Sequence, residues 1–414
     1  MSMKSAIHDT FTKDKKEDNP EELVQESGPP DGGFRAWRTV FGCFLMQFCG
    51  FGVRWIGALA SFLAVIVTSI SGPLYDRGWF YRLMIVGSLL QSLSLFALSF
   101  TKPGQFYLAF MVQGVVYGFG MGLTYAPSVA VVSQHFSSRK RTLVMSLVTC
   151  GSPLGGIIHP IMLNHLLNGA VGFEKGVRAS AGFVSVLLLI ACLSMRTREL
   201  PVSTVSYTVV ARKFSRDVLF ILMAAGGTLF QIGFYFPLFY LQLDSNKHGI
   251  NVNFSFYSLS ILSAASFIGR CTAGIIAAYA GVLNFTIAST LACSAVIISM
   301  MALSDMASVV VLGLAYGYFS GVYIALLVPL MAVLTPDLSE LGARIGICFT
   351  FSSFGTLLGG PISGDFLGSQ YKWWIASLFS GVIDLPYGKF DLRGDAPDYI
   401  PPRNKREPIA TGDA

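Results

Sequence analysis

Long apolar runs alternate with short polar or basic segments along most of the chain, from residue 39 to residue 384. A run of about 18 or more apolar residues is typical of a membrane-spanning helix, because about 20 residues cross a hydrocarbon core some 30 Å thick. The pattern therefore predicts an all-α membrane protein. Twelve helices are expected, at residues 39–53, 55–75, 83–100, 106–132, 142–167, 179–195, 218–243, 256–280, 283–303, 307–334, 345–367 and from 373 onward.

The first and last of these helices are shorter than a full span. Residues 39–53 give about 22 Å at 1.5 Å per residue, and only Arg54 separates them from the next helix. The last helix meets Asp384 and Pro386 soon after it starts at Trp373. We therefore expect helices 1 and 12 to be truncated, and the first to pack poorly and leave the bundle open on its side.

Glycine-rich patterns recur at a nearly constant spacing and predict two related halves. The stretch that begins at Gly151 is echoed by the one that begins at Gly355, 204 residues later, and Tyr117 with its following glycine is echoed by Tyr316, 199 residues later. Such internal repeats are common in transporters, whose binding site lies between the two repeats. The expected division is a disordered cytoplasmic tail at 1–36, a six-helix half at 37–195, a cytoplasmic linker at 196–217, a second six-helix half at 218–385 and a disordered cytoplasmic tail at 386–414.

Composition supports the membrane assignment. Hydrophobic residues make up 53% and charged residues 13% of the 414-residue chain, with a mean hydropathy of +0.60, whereas soluble domains carry about 25% charged residues. Cations in short loops contribute to the net charge of +6, and more of them lie on the side of both termini, which assigns that side to the cytoplasm. We expect a multi-pass protein of the plasma membrane, with the lipid bilayer as a partner and no nucleic-acid partner.

No pattern in the sequence predicts an enzyme, a metal site or a cofactor. All seven cysteines lie in apolar segments without metal-ligand spacing, so free thiols are expected. No nucleophile–base pair and no glycine-rich phosphate loop stands out. The sequon that begins at Asn253 would lie on the outer side, close to the membrane, and it makes the chain a candidate glycoprotein.

Three sequence motifs carry a family resemblance. The loop after the second helix reads GPLYDR at 72–77 and resembles the loop motif of the major facilitator superfamily. With twelve helices in two halves, this resemblance implies the fold of that superfamily and transport by alternating access. The stretches DGGFRAW at 31–37 and RKRTLVMSLVTCG at 139–151 are similar to two motifs of its monocarboxylate porter family, in the fungal form. The resemblance covers about residues 31–383.

Arg270, near the middle of the eighth helix, is the strongest candidate for a substrate contact. A cation at that depth costs at least about 2.5 kcal/mol, so it should face a water-filled cavity, where an organic carboxylate could pair with it. A structural ion pair, or an arginine that reaches the membrane interface, is the alternative. The resemblance adds a match to the family's substrate arginine, and it implies that Tyr125, Gln231, Tyr235 and Tyr316 lie on helices that line the cavity. For each of these four, a packing role is the alternative to substrate contact.

Four further residues are candidates for coupling and gating. His159 on the fifth helix is either a proton relay or a hydrogen-bonded packing residue. Asp76 and Arg77 are interpreted as a conformational gate, with Arg141 as a further member. Ser266 stands where animal members of the porter family carry an acid, so this chain departs from the usual arrangement for proton coupling.

The leading interpretation is a secondary active transporter that moves a small organic anion, with protons as a candidate co-substrate. Export of a fungal secondary metabolite is the first alternative, because the coupling acid is absent and the fifth helix carries a Gly-Ser-Pro-x-Gly-Gly bend similar to that of exporters. The second alternative is a truncated, transport-incompetent paralogue that acts as a sensor or partner, which the short first and last helices favour.

Overall fold

The computed structural model describes residues 32–52, 57–102, 104–168, 172–198, 212–335, 340–368 and 371–391. Within these ranges the chain forms twelve long helices. They are α1 (Phe34–Gly52), α2 (Gly57–Asp76), α3 (Phe80–Leu98), α4 (Phe106–Ala109 continuing to Gln134), α5 (Ser138–Thr149 and Gly151–Asn168), α6 (Gly172–Ser194), α7 (Val218–Lys247), α8 (Val252–Ala280), α9 (Val282–Ser299), α10 (Met306–Val333), α11 (Leu341–Leu367) and α12 (Trp373–Asp391). Residues 1–31 and 392–414 of the predicted tails lie outside the described ranges, as do Arg54 and residues 199–211 of the linker. Residues 34–36 and 386–391, which were predicted to belong to the tails, are helical.

Ten helices in the described part of the chain, α2 to α11, are long and apolar enough to cross a membrane. The all-helical membrane fold predicted from the sequence is therefore confirmed. The two helices outside that set are α1 and α12, each of 19 residues, or about 28 Å at 1.5 Å per residue. They are longer than the sequence predicted, because α1 already begins at Phe34 and α12 continues through Asp384.

Helix α1 is well packed, and the expectation that it would pack poorly is wrong. Cys43, Met46 and Cys49 on this helix are fully or almost fully buried. Its backbone lies so close to α5 that a Cβ atom on Gly151 would overlap the carbonyl of Phe44. Small residues allow such close approach of helices in membranes, and the glycines of α5 supply it here.

The contacts that α1 makes with α4 and α5 are equivalent to those that α7 makes with α10 and α11. A Cβ on Gly355 would overlap the carbonyl of Thr228 on α7, just as Gly151 abuts Phe44 on α1. The Tyr117 hydroxyl donates to the Cys49 carbonyl at 2.6 Å, and the Tyr316 hydroxyl donates to the Phe234 carbonyl at 2.5 Å. The glycines and tyrosines that recur in the sequence thus occupy equivalent positions in the first and last six helices.

These equivalent contacts locate a difference in length. Phe44 and its counterpart Thr228 are 184 residues apart, whereas Ala60 on α2 and its counterpart Leu262 on α8 are 202 apart. The stretch from α1 to α2 is therefore 18 residues shorter than the stretch from α7 to α8. Most of the shortfall is helical, since α7 and α8 have 30 and 29 residues against 19 and 20 in α1 and α2.

Two helices depart from regular α geometry. Helix α4 contains a π-helical segment at Phe110–Tyr117 and ends in a 3₁₀ turn at Val131–Gln134. Helix α5, predicted as one continuous helix, is interrupted at Cys150. Pro153 explains the interruption, because proline has no N–H and cannot donate to the carbonyl four residues earlier, which is that of Thr149.

Candidate functional site

A narrow cavity lies between the first six and the last six helices. Side chains of α2, α4 and α5 line it on one side, and side chains of α7, α8, α10 and α11 line it on the other. It holds about 60 Å³ of space in this conformation, whereas sites that enclose drug-sized molecules measure about 300–1,000 Å³. The helices must therefore separate before a metabolite of that size can bind between them.

Arg270 on α8 lines this cavity and is 5% exposed. Its Nη1 donates a hydrogen bond of 2.7 Å to the carbonyl oxygen of Thr149 on α5. That carbonyl is available because Pro153 leaves it without its usual donor in the helix. One break in α5 thus provides the acceptor that holds a buried guanidinium at the boundary between the two groups of helices.

Three of the other predicted substrate-binding residues line the same cavity. Tyr125 lies on α4, and its ring packs against Phe349 of α11 with ring centroids 5.8 Å apart. Gln231 and Tyr235 lie one turn apart on α7, and Gln231 donates to Thr356 of α11 at 3.4 Å. These predicted residues therefore bring one cation, two phenols and an amide to the cavity, from helices on both sides.

Tyr316 and His159 are placed elsewhere. Tyr316 is 1% exposed and lies outside the cavity lining, with its hydroxyl bonded to the backbone of α7. His159 is fully buried, with ring centroids 5.1 Å from Phe48 and 6.3 Å from Phe183. Neither of its ring nitrogens has a hydrogen-bond partner in the described structure, so the predicted hydrogen bond of a packing histidine is not observed.

Sequence reasoning missed several residues of the cavity and one buried acid. Ser152 and Tyr323 line the cavity, and the spacing of seven residues from Tyr316 could have pointed to Tyr323. Asp384 is fully buried on α12, with no hydrogen-bond partner for either carboxyl oxygen among the described residues. It lies against the backbone of Gly233, where a Cβ would overlap the carboxyl group. The sequence had suggested that α12 would end at this acid.

The predicted gate residues lie at the basic end of the bundle, defined here as the end where α2 finishes at Asp76 and α11 begins at Leu341. The Asp76 carboxylate accepts a hydrogen bond of 2.8 Å from the backbone N–H of Ala343. That N–H is one of the first four of α11, which have no partner within the helix. Asp76 thus caps α11 from the other half of the molecule, in place of an N-cap side chain of α11 itself.

The other two gate candidates make different contributions to the basic end. Arg77 is exposed, whereas Arg141 is partly buried at the start of α5. Arg344, in the first turn of α11, is 2% exposed. It donates to the Leu334 carbonyl at 2.8 Å and lies 3.3 Å from the Asp217 carboxylate. It anchors the start of α11, the same helix that Asp76 caps.

The basic end is closed on both sides of the boundary between the halves. On the α2–α11 side, Gly72 and Gly342 bring the two backbones into contact beside Asp76. On the α5–α8 side, a Cβ on Gly274 would overlap the backbone of Leu143. The counterpart of Asp76 on α8 is Ala278, so the second contact has no equivalent carboxylate cap.

Comparison with known proteins gives the same fold. The sequence profile of the Major Facilitator Superfamily matches residues 46–315. The chain also resembles solved structures of that superfamily, namely FucP in the outward conformation, at a TM-score of 0.66 and 12% identity over 86% of this chain and 97% of that one. The human organic anion transporter MFSD10 (TETRAN) gives a TM-score of 0.67 at 12% identity over the same shares of the two chains.

Curated relatives from fungi are more similar in sequence. The Agnestins efflux protein AgnL12 of Paecilomyces divaricatus is 32% identical over 392 residues, covering 88% of each chain. The Fujikurins efflux protein of Gibberella fujikuroi is 31% identical over 393 residues, which cover 87% of this chain and 83% of the relative. The Aspyridones efflux protein apdF of Emericella nidulans is 28% identical over 401 residues, with 90% and 80% covered. With its two groups of six helices around a central cavity, the chain belongs to the Major Facilitator Superfamily and is a multi-pass membrane transporter.

Proposed function

We propose that this protein exports an acidic fungal secondary metabolite and that Arg270 binds the acid group. The buried guanidinium at the cavity between the two halves carries this proposal. Export is favoured over import because several relatives are named efflux proteins for fungal metabolites. Tyr125, Gln231 and Tyr235 would contact the remainder of the molecule, with aromatic faces for an apolar body and an amide for a polar group.

Binding would be coupled to opening through the partner that Arg270 now holds. A carboxylate forms a charge-assisted hydrogen bond with a guanidinium that is about twice as strong as one between neutral groups. An incoming acid would therefore draw Arg270 away from the Thr149 carbonyl and weaken the contact between α5 and α8. In this mechanism the halves 37–195 and 218–385 move as units, and Asp76 releases α11 when the basic end opens.

The proposal is tested by transport into inside-out membrane vesicles. The substrates are radiolabelled carboxylic acids of increasing size, each compared with its uncharged methyl ester. We expect transport of at least one acid over its ester, and a loss of at least about tenfold in Arg270→Gln, since a hydrogen bond to a charged group contributes about 1.5–3 kcal/mol. Arg270→Lys should recover little, because a point charge cannot replace a bidentate fork.

A matched control is Arg178→Gln, which removes a half-exposed arginine from the ion pair with Glu174 at the start of α6. It should transport as the unmodified protein does. Equal transport of acids and esters by the unmodified protein, or full activity of Arg270→Gln at wild-type surface abundance, would remove Arg270 from the substrate site.

The proposal also covers the subfamily of the chain, the membrane in which it lies and the coupling of transport to protons. The motifs at 31–37 and 139–151 support a place beside the monocarboxylate porters, and export of a metabolite from the cell supports the plasma membrane. Proton coupling would require a titratable group in the helices, and Asp244, Asp384 and His159 are among the buried candidates. Collapse of the proton gradient by a protonophore should stop transport if protons drive it.

A transport-incompetent paralogue is the second candidate function. The observation that favours it is the 18-residue shortfall between α1 and α2 relative to α7 and α8. The vesicle assay separates the two functions, because an incompetent paralogue moves neither acid nor ester while remaining folded in the membrane.

A further inference from the structure

Two cysteine side chains meet across the boundary between the halves. Cys150 lies at the interruption of α5, and Cys271 lies on α8. Their sulfur atoms are 3.3 Å apart. The two residues directly follow Thr149 and Arg270, which form the hydrogen bond between the same two helices. The thiol pair therefore lies next to the contact that holds the halves together at the cavity.

The surroundings of the two thiols differ. Cys150 is fully buried, whereas Cys271 is only partly buried. Cys150 also lies 3.4 Å from the Ser146 carbonyl of its own helix. A small oxidant would therefore reach Cys271 first, and Cys150 would be the thiol already in place to react with the product.

The other cysteines do not share this arrangement. Cys49 lies 3.9 Å from the Val184 carbonyl, and Cys192 lies 3.3 Å from the Ser88 hydroxyl. Both contacts are within the first six helices. Cys43, Cys293 and Cys348 are buried as free thiols. A bond formed at Cys150 and Cys271 would differ from modification of these five, because it would join the two halves covalently.

We propose that Cys150 and Cys271 are an oxidative modification site, at which a hydroperoxide forms a disulfide that locks the basic end of the transporter closed. In the first step the Cys271 sulfur attacks the peroxide, the O–O bond breaks, and Cys271 becomes a sulfenic acid as water or an alcohol leaves. In the second step the Cys150 sulfur attacks that sulfur and displaces water. Two thiols lose two hydrogens in total, and one peroxide is reduced.

The bond would arrest the motion on which transport depends. Disulfide sulfurs are about 2.05 Å apart, so the bond requires the side chains to move only slightly closer. It would then hold α5 against α8 and prevent the separation that opens the basic end. Ser146 on α5 already lies 3.4 Å from the Ala325 carbonyl of α10, so the bond would preserve a contact among three helices. The lock rests on alternating access as described under Proposed function, whereas formation of the disulfide does not.

Cross-linking is tested on the full chain in lipid nanodiscs. A protease site is inserted within residues 199–211, and the protein is treated with hydrogen peroxide, blocked with N-ethylmaleimide and then cleaved. On a non-reducing gel the two halves of the unmodified protein should migrate together, and dithiothreitol should separate them. Cys150→Ser and Cys271→Ser should each abolish the cross-link, and the matched control Cys192→Ser should retain it. Separate halves in the unmodified protein, or a cross-link that survives either substitution, would overturn the site.

The lock is tested by two measurements on the cross-linked protein. Vesicle transport of the acid identified above should fall at least about tenfold on oxidation and recover on reduction, and peroxide should leave Cys150→Ser unaffected. Amide hydrogen exchange at the basic ends of α5 and α8 should slow by at least about tenfold on oxidation. The exchange measurement needs no substrate, so it separates failure of the lock from failure of the proposed function. Unchanged exchange in fully cross-linked protein would overturn the lock.

Discussion

A single missing N–H determines the surroundings of the most important residue of the site. Arg270 could be predicted from sequence as a functional cation, because a charge in the middle of an apolar helix is costly. Its hydrogen-bond partner could not be predicted, because nothing about Thr149 itself marks its carbonyl as an acceptor. That carbonyl is free to accept only because Pro153, four residues later on the same helix, has no N–H. Tyr316 could not be excluded from the cavity by sequence either, because its environment depends on which face of α10 meets α7.

The role of Pro153 predicts the effect of restoring the N–H. In Pro153→Ala the new donor would compete with Arg270 for the Thr149 carbonyl, and α5 would become continuous. We expect Arg270 to lose about 1 kcal/mol of stabilisation in this conformation and transport to fall severalfold, as measured in the vesicle assay. The matched control is Pro160→Ala on the same helix, which should leave the Arg270 contact and its transport unchanged. Equal loss in both variants would assign the effect to helix flexibility in general.

At the level of elements, sequence patterns predicted the order of the helices better than their ends. The interior of each helix was recognisable from its apolar run, but the start of α1 was placed five residues late because Arg35 and Arg38 interrupt the pattern there. The structure has these residues in the first helical turns, preceded by two glycines at positive φ. Packing of α1 could not be predicted, since it depends on glycines of α5.

The packing of α1 can be tested with one pair of glycines. Gly151→Ala should destabilise the protein by about 1–3 kcal/mol, because the added methyl group would overlap the backbone of α1 at Phe44. Gly182→Ala on α6 is the matched control: no atom of another helix lies within 4 Å of the position of its Cβ, and alanine is the better helix former by about 1 kcal/mol. The melting temperatures of both variants in detergent give the comparison. A neutral Gly151→Ala would contradict the contact between α1 and α5.

The cap on α11 predicts a kinetic effect of Asp76. Asp76→Ala removes the acceptor for the Ala343 N–H and should destabilise the closed basic end by about 0.5–2 kcal/mol. Asp76→Asn keeps an acceptor but loses the negative charge at the N-terminus of α11. We expect the maximal transport rate to fall in the order wild type, Asn, Ala, with little change in the concentration for half-maximal rate. Initial rates over a range of substrate concentrations measure both quantities. A weakened affinity at unchanged maximal rate would exclude a role confined to gating.

For the whole molecule, internal repetition in the sequence predicted the relation between the halves, while the asymmetry of the gate emerged only in three dimensions. The repeated glycines and tyrosines have equivalent contacts in both groups of helices. Asp76 and Ala278 show where the halves diverge, because only one of the two contacts at the basic end has a carboxylate cap. The sequence shows only the replacement of Asp76 by Ala278, whereas the structure shows that Asp76 faces the N-terminus of α11.

The orientation of the whole chain in the membrane can be tested directly. The loop cations place the basic end, with both termini, in the cytoplasm. Epitope tags at the two termini should both be protected from protease added to intact cells, and both should be cut after permeabilisation. A tag at the N-terminus that is cut from outside would show that α1 fails to cross together with α2.

The unequal lengths of α1 and α7 have a consequence for the surrounding lipid. Beyond Phe236, the residue equivalent to Gly52 at the end of α1, helix α7 continues to Lys247, which adds about 16 Å at 1.5 Å per residue. We expect the wall of the protein opposite the basic end to be lower on the flank of α1 than on the flank of α7. Lipid tails of one leaflet must tilt and shorten beside the low flank, at a cost of fractions of a kcal/mol per Å. We expect this dimple to be confined to one side of the molecule, and to deepen in thicker bilayers.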